Sequence, residues 1–164
     1  MEKIYTLNNN EIIIAPTTGC YLLKPEENKI VTINSDFLTI KGIIIKNKKI
    51  FIAQTNCIIR YGTKDSFINE SSLLKVLNIK RCYSLSLNSS TNQIFVAFSN
   101  GLHELTKDSI FTPVLYNNEV ITASSLLYIN NKTYATTFNN GLFIIDKMEL
   151  EGNQLKMACC LIKF

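Results

Sequence analysis

The chain has no tryptophan, one histidine, three prolines and six glycines in 164 residues. Its lone histidine, His103, sits between Leu102 and Glu104 in an apolar run. It has neither the companion ligands of a zinc site nor the helix of a phosphate acceptor, and it reads as a surface or structural residue. The five cysteines are an odd number, so they cannot all pair within one chain, and they read as small reduced hydrophobes. Cys159 and Cys160 are adjacent and would point to opposite faces of a strand, which removes them as a chelating pair. No glycine-rich phosphate loop precedes a helix, and no serine nucleophile elbow is present. The 13 acidic residues contain no repeated or apolar-flanked pair of the kind glycoside hydrolysis requires. These absences predict a chain that is not an enzyme, with no catalytic residue, no metal site and no cofactor.

Charge is also sparse, at 18% of residues, with a net +4. Lys41, Lys46, Lys48 and Lys49 gather around one turn, where a solvated hairpin tip explains them. A nucleic-acid surface would need a wider basic stripe with stacking aromatics, so no nucleic-acid partner is expected. No apolar run approaches the roughly 18–20 residues of a membrane helix. The opening stretch MEKIYTLNNNE lacks the apolar centre of a secretory leader and, taken alone, predicts a cytoplasmic chain. Against these absences stands a hydrophobic content of 46%, too high for a disordered chain.

What is present is a repeat of about 40 residues. Four segments stack in register: IIIAPTTGCYLL (12–23), IFIAQTNCIIRY (50–61), IFVAFSNGLHEL (94–105) and YATTFNNGLFII (134–145). Their fourth places read Ala15, Ala53, Ala97 and Thr137, and their eighth places Gly19, Cys57, Gly101 and Gly141. Each segment is two short apolar runs split by a polar pair, the pattern of a β-hairpin. Asn and Gly reach positive φ at little cost, so Gly19, Gly101 and Gly141 are expected as structural turn residues. A Cβ at Cys57 predicts a differently shaped turn there. A further apolar run precedes each segment and a weaker one follows it, so each unit holds four strands.

Four short antiparallel strands per unit predict an all-β chain of β-propeller blades, approximately 1–36, 37–79, 80–119 and 120–164, in a single repeat domain. The best helical window, Glu70 to Lys80, reads as loop and strand. Four blades are the lower limit for a ring. An open arc completed by further blades or by a second copy is expected ahead of a closed four-blade ring.

The pattern of apolar, aromatic, apolar, Ala or Gly, Thr, any residue and Asn-Gly-Leu resembles the bacterial two-component regulator propeller repeat. It is clearest at 94–105 and 134–146. Phe51 and Phe95 keep the aromatic of the second place, whereas Ile13 and Ala135 do not. The resemblance implies the sensor region of hybrid histidine kinases, an extracytoplasmic, non-catalytic, ligand-binding role in signal transduction, and a polar ligand such as an oligosaccharide. A protein-interaction scaffold is the rival reading, because a fold does not decide between them.

In a propeller, the turns between second and third strands share one face with the links between blades. That face is expected to carry Thr17, Thr18, Thr55, Asn56, Ser99, Asn100, Asn139 and Asn140. Links would add Asn34, Ser35, Asp36, Lys80, Arg81, Asn117, Asn118 and Glu119. From these, Asp36, Asn56, Arg81, Asn100, Asn117, Glu119 and Asn140 are the candidate ligand-binding residues. Amides, carboxylates and a guanidinium suit a polar ligand by hydrogen bonding.

Overall fold

The computed structural model describes residues 3–162, apart from 9, 56–58, 70–73, 107–109, 152 and 153. It divides into two compact units, Met1–Arg81 and Cys82–Phe164. The first unit holds two meanders, in each of which neighbouring strands pair in chain order. The first contains β1 (Lys3–Asn8), β2 (Glu11–Ala15), β3 (Thr18–Lys24) and β4 (Lys29–Leu38). The second contains β5 (Ile40–Lys46), β6 (Lys49–Gln54), β7 (Ile59–Thr63), a short helix α1 (Lys64–Asn69) and β8 (Lys75–Asn78).

Alternation along these strands explains the core of the first unit. Tyr5, Ile13, Leu22 and Val31 form one cross-strand row, and this row packs against Ile43, Ile45, Ile50 and Ile52 of the second meander. The intervening residues of β1–β4 fall on the opposite face, as a period of two requires.

Helix α1 is not part of the all-β expectation, and it lies just before the window Glu70 to Lys80 that is the best helical stretch of the sequence. The Thr63 hydroxyl accepts the Ser66 N–H at 3.0 Å, which satisfies one of the first orphan donors of the helix. Phe67 is fully buried and its ring stacks on Phe37 at 6.1 Å. Lys64 pairs with Glu11, fastening the helix to β2.

The second unit holds β9 (Cys82–Asn88), β10 (Gln93–Phe98), β11 (Gly101–Leu105) and β12 (Phe111–Tyr116), then a two-residue strand β13 (Glu119–Val120). A last meander follows, of β14 (Ala123–Ile129), β15 (Lys132–Thr137), β16 (Leu142–Glu151) and β17 (Gln154–Ile162). Phe95, Ala97 and Leu102 pack against Leu126, Ala135, Phe143 and Ile145. The Ser84 hydroxyl accepts the Leu126 N–H at 3.1 Å across this buried joint. One pairing goes beyond the separate blades of the expectation. The β16–β17 hairpin is long, β15 covers β16 only over Leu142–Ile145, and β17 also pairs with β12 in parallel at Val114 and Leu115. The third and fourth meanders are therefore one continuous sheet in hydrogen bonding.

Turn chemistry is distributed differently from the Asn-Gly expectation. Gly19, Gly101 and Gly141 do have positive φ, at 81°, 126° and 82°. The paired positive-φ turns fall elsewhere, at Asn47-Lys48, Asn117-Asn118 and Asn130-Asn131. Each closes a two-residue hairpin, the geometry that matches strand twist. Cys57 lies outside the described residues.

Candidate ligand-binding face

In the second unit, three connections lie at one end of the strands. Phe98 pairs with Gly101 across the turn Ser99-Asn100, and Phe98 also pairs with Cys82 at the start of β9. Because β12 is antiparallel to β11, its last residue reaches that same end. The link after β13 then folds over the turn: the Leu102 N–H donates to the Ile121 carbonyl at 2.7 Å. Val120 sits so close that a Cβ on Gly101 would lie 2.1 Å from its Cγ1. Tyr83, near the start of β9, meets Phe138 edge-on, with ring centroids 5.3 Å apart. This contact brings the turn between β15 and β16 to the same end.

Of the sequence-derived candidates, Asn100, Asn117, Glu119 and Asn140 are all exposed at this end of the second unit. Asn117 is occupied as a turn former at φ 50°, beside Asn118 at 65°. Asn140 gives its N–H to the Thr137 hydroxyl at 2.8 Å. Asp36 is a correction: it lies inside β4, which pairs with β3 through Leu38, and not in a connecting loop. Asn34 and Ser35 share that strand. Here the pairing that Thr18 offers Leu38 prolongs the outer strand past the polar residues that resembled a loop. Only Thr39 separates β4 from β5. Its carbonyl accepts the Thr55 N–H at 3.0 Å, and its hydroxyl donates to the Thr17 carbonyl at 3.2 Å. The first unit thus brings Thr17, Thr39 and Thr55 together, with these groups engaged by backbone. Arg81 is exposed at the end of the first unit, and Asn56 lies outside the described residues.

The aromatic pair Tyr83 and Phe138 was not among the expected residues. Phe138 is 59% exposed, whereas Phe98, its counterpart in FSNG versus FNNG, is 1% exposed. The two turns have different lengths in space. In the third meander Phe98 itself pairs with Gly101. In the fourth, the Thr137 N–H and hydroxyl both donate to the Gly141 carbonyl, at 2.9 and 3.0 Å, and the same hydroxyl accepts from Asn140. Thr137 therefore takes the place that Phe98 holds, and Phe138 moves into the turn. The register of the fourth repeat shifts with it. Tyr134 and Thr136, and not Ala135 and Thr137, are the structural equivalents of Phe95 and Ala97, which restores the aromatic of the second place. The signal in the sequence was the hydroxyl at 137 in place of alanine.

Chemically, this end offers a ring held from its edge, the exposed amides of Asn100, Asn139 and Asn140, and one carboxylate, Glu119. Among the described residues no three His, Cys, Asp or Glu side chains cluster as a metal site. His103 is buried, with its Nδ1 at 3.0 Å from the Gly101 carbonyl and its ring edge-on to Phe98. This is a structural use, and it holds the turn. Burial pushes the Cys20 thiol up to about 12 and raises the Tyr5 hydroxyl well above its ordinary range. Both lie within the first unit's core, Cys20 directly after the turn residue Gly19.

The fold class these features define is an all-β array of propeller blades. Solved structures share it. One is an extracellular domain assigned to a hybrid two-component system of Bacteroides thetaiotaomicron, with a TM-score of 0.66 and 14% identity over 88% of this chain. Another is an auxiliary nutrient binding protein of the same organism, with a TM-score of 0.68 and 11% identity over 95% of the chain. A third is a catalytically inactive virginiamycin B lyase from Staphylococcus aureus with quinupristin, with a TM-score of 0.61 and 14% identity over 86% of the chain. The chain spans 20%, 40% and 50% of these three, respectively. No family model and no curated relative matches it in sequence. At such identities the likeness is one of fold, and the neighbours include a binding protein and an enzyme.

Proposed function

We propose that the chain is a non-catalytic, ligand-binding repeat domain of the sensor type, in which all four meanders act as blades. Its ligand is a neutral, hydroxyl-rich molecule such as an oligosaccharide, taken at the turn end of the second unit. The observation that carries this reading is Phe138. A ring 59% exposed costs free energy in water unless it is covered, and here it is positioned by Tyr83 on a turn braced by three hydrogen bonds to or from Thr137. The turn from Thr137 to Gly141 carries no charge, and its amides can donate and accept. An apolar ring flanked by neutral amides matches a pyranose, which has a C–H face and a rim of hydroxyls. The extracellular neighbour agrees with an extracytoplasmic setting, and the nutrient-binding neighbour with a binding role.

Titration with a panel of neutral oligosaccharides, followed by backbone amide shifts, tests the proposal. Shifts should concentrate at residues 83, 99–101, 117–122 and 137–141, and Phe138→Ala should weaken the binding at least tenfold. No saturable shift with any sugar, together with capture of a protein partner that Phe138→Ala abolishes, would replace this reading with the scaffold. A saturable response that Phe138→Ala leaves intact would place the ligand elsewhere.

A further inference from the structure

Each unit is built on one joint between consecutive meanders, and the two joints use equivalent faces. In the first unit, the face of Ile13 and Ala15 meets the face of Ile50 and Ile52. In the second, the face of Phe95 and Ala97 meets the face of Ala135, Phe143 and Ile145. In the structural register of the repeat, Ile13 and Ala15 hold the places of Phe95 and Ala97. Ile50 and Ile52 hold the places of Thr133 and Ala135. A leading face therefore packs on a trailing face, twice, by the same rule.

Within each unit this rule uses one leading and one trailing face and leaves one of each; the trailing face of the first meander and the leading face of the fourth carry large exposed apolar residues. In the first meander the trailing face is made of two cross-strand rows, Ile4–Ile14–Tyr21–Thr32 and Thr6–Ile12–Leu23–Ile30. Ile4 is 71% exposed and Ile30 64%. In the fourth meander the leading face carries Ser125, Leu127, Tyr134, Thr136 and Leu142 around a hollow of about 190 Å³. Leu127 is 58% exposed, and Ile129 on the same side is 48% exposed. The two rows and the lining of the hollow contain no charged residue, the usual protection of a sheet surface meant to stay in water, and Lys132, opposite Ile129, lies at the end of the fourth meander's face.

We propose that these two faces are an interaction surface for a second copy of this chain. The Leu127–Tyr134 face of one copy seats on the Ile4–Ile14 face of the next, head to tail. It repeats between chains the leading-on-trailing joint that each unit already contains. A contact of a face with its own kind would not reproduce that joint, so the association is heterologous, closing as a ring or extending.

Light scattering coupled to size exclusion, on the full chain from 1 to 100 micromolar, should give a mass of at least twice 18.6 kDa. Ile4→Glu and Leu127→Glu change exposed positions and should each give a folded monomer, with circular dichroism unchanged. Mixing the two variants leaves one intact leading face and one intact trailing face, so the mixture alone should recover a dimer. A wild-type monomer across the range, or an oligomer that neither variant dissociates, would overturn the proposal. A mixture that stays monomeric would overturn the head-to-tail geometry. Should a variant lose its strand signal, Ile4→Thr and Leu127→Thr answer the same question through a higher dissociation constant.

Discussion

Replacing Gly101 by alanine joins two separable costs at one atom. The residue has φ 126°, a region L side chains rarely adopt, and holding alanine there costs about 1–3 kcal/mol. The new Cβ would also stand 2.1 Å from Val120 Cγ1 and 3.4 Å from the Ile121 carbonyl. Overpacking of this kind costs about 1–3 kcal/mol. Val120 is 47% exposed and can rotate away in part. The net destabilisation expected is therefore about 2–4 kcal/mol, toward the lower part of the combined range. With a urea slope of about 2 kcal/mol/M, the unfolding midpoint should fall by about 1–2 M. Urea unfolding followed by circular dichroism, with hydrogen exchange in peptides spanning 94–123, assigns the loss to the second unit. Adding Val120→Ala to Gly101→Ala should restore the packing part and leave the backbone part. The reasoning fails if Gly101→Ala leaves the midpoint within about 0.2 M of wild type. It also fails if the double variant is no more stable than the single one, since the contact with Val120 would then carry none of the cost.

Three further outcomes are expected. Cys20 has its proton held more tightly in the folded chain, up to about 12 against an ordinary 9.0, so its contribution to stability is complete below pH 9 and is lost as pH rises toward 12. Tyr5 acts in the same direction, and the wild-type urea midpoint should fall between pH 9 and pH 11 while Cys20→Ala with Tyr5→Phe flattens that fall. Thr137→Val keeps the shape of the side chain and removes both hydroxyl bonds of the turn; it should cost about 1–2 kcal/mol and speed amide exchange at Asn140, whose N–H loses its acceptor. Phe67→Ala removes a fully buried ring stacked on Phe37 and should cost about 3–5 kcal/mol in thermal or urea unfolding.

The repeat was legible because it rests on residues that have few alternatives. Gly19, Gly101 and Gly141 mark turns where φ is positive, and the alternating apolar runs beside them can bury only one face at a time. What the pattern could not show depends on a few hydrogen bonds or on distant pairing. The six-residue helix α1 depends on a hydroxyl at Thr63 and on a pocket beside Phe37, and neither leaves a periodicity in so short a segment. The run Asn34-Ser35-Asp36 has the composition of a loop, yet β4 continues through it, because Asn34 pairs with Cys20 and Leu38 with Thr18 on either side of an irregularity in register. The parallel contact of β17 with β12 joins residues about 40 apart in sequence and has no local signature at all.

The fourth repeat shows how the fold and the candidate site are linked through one side chain. Its sequence FNNG is as long as the FSNG of the third, and on composition the two should build one turn. In the third, Ala97 precedes the phenylalanine and offers the turn no hydrogen bond, so Phe98 pairs with Gly101 and its ring is buried against His103 and Phe111. In the fourth, Thr137 does offer one, and the turn closes a residue earlier, on Thr137 itself. Phe138 is then left in the loop with its ring largely in water and Tyr83 at its edge. The same shift turns Tyr134 onto the open face of the last meander. Thr137→Ala should therefore do more than weaken a turn. Without the hydroxyl, the balance moves toward the two-residue geometry of the third repeat, in which Phe138 pairs with Gly141 and withdraws from solvent. Amide and aromatic side-chain shifts would report that change directly: loss of the Tyr83–Phe138 ring contact, together with a one-residue change in the β15–β16 cross-strand contacts, is the expected result. Retention of the Thr133–Ile145 and Ala135–Phe143 pairings in Thr137→Ala, with Phe138 still exposed, would show that something other than this hydroxyl sets the register.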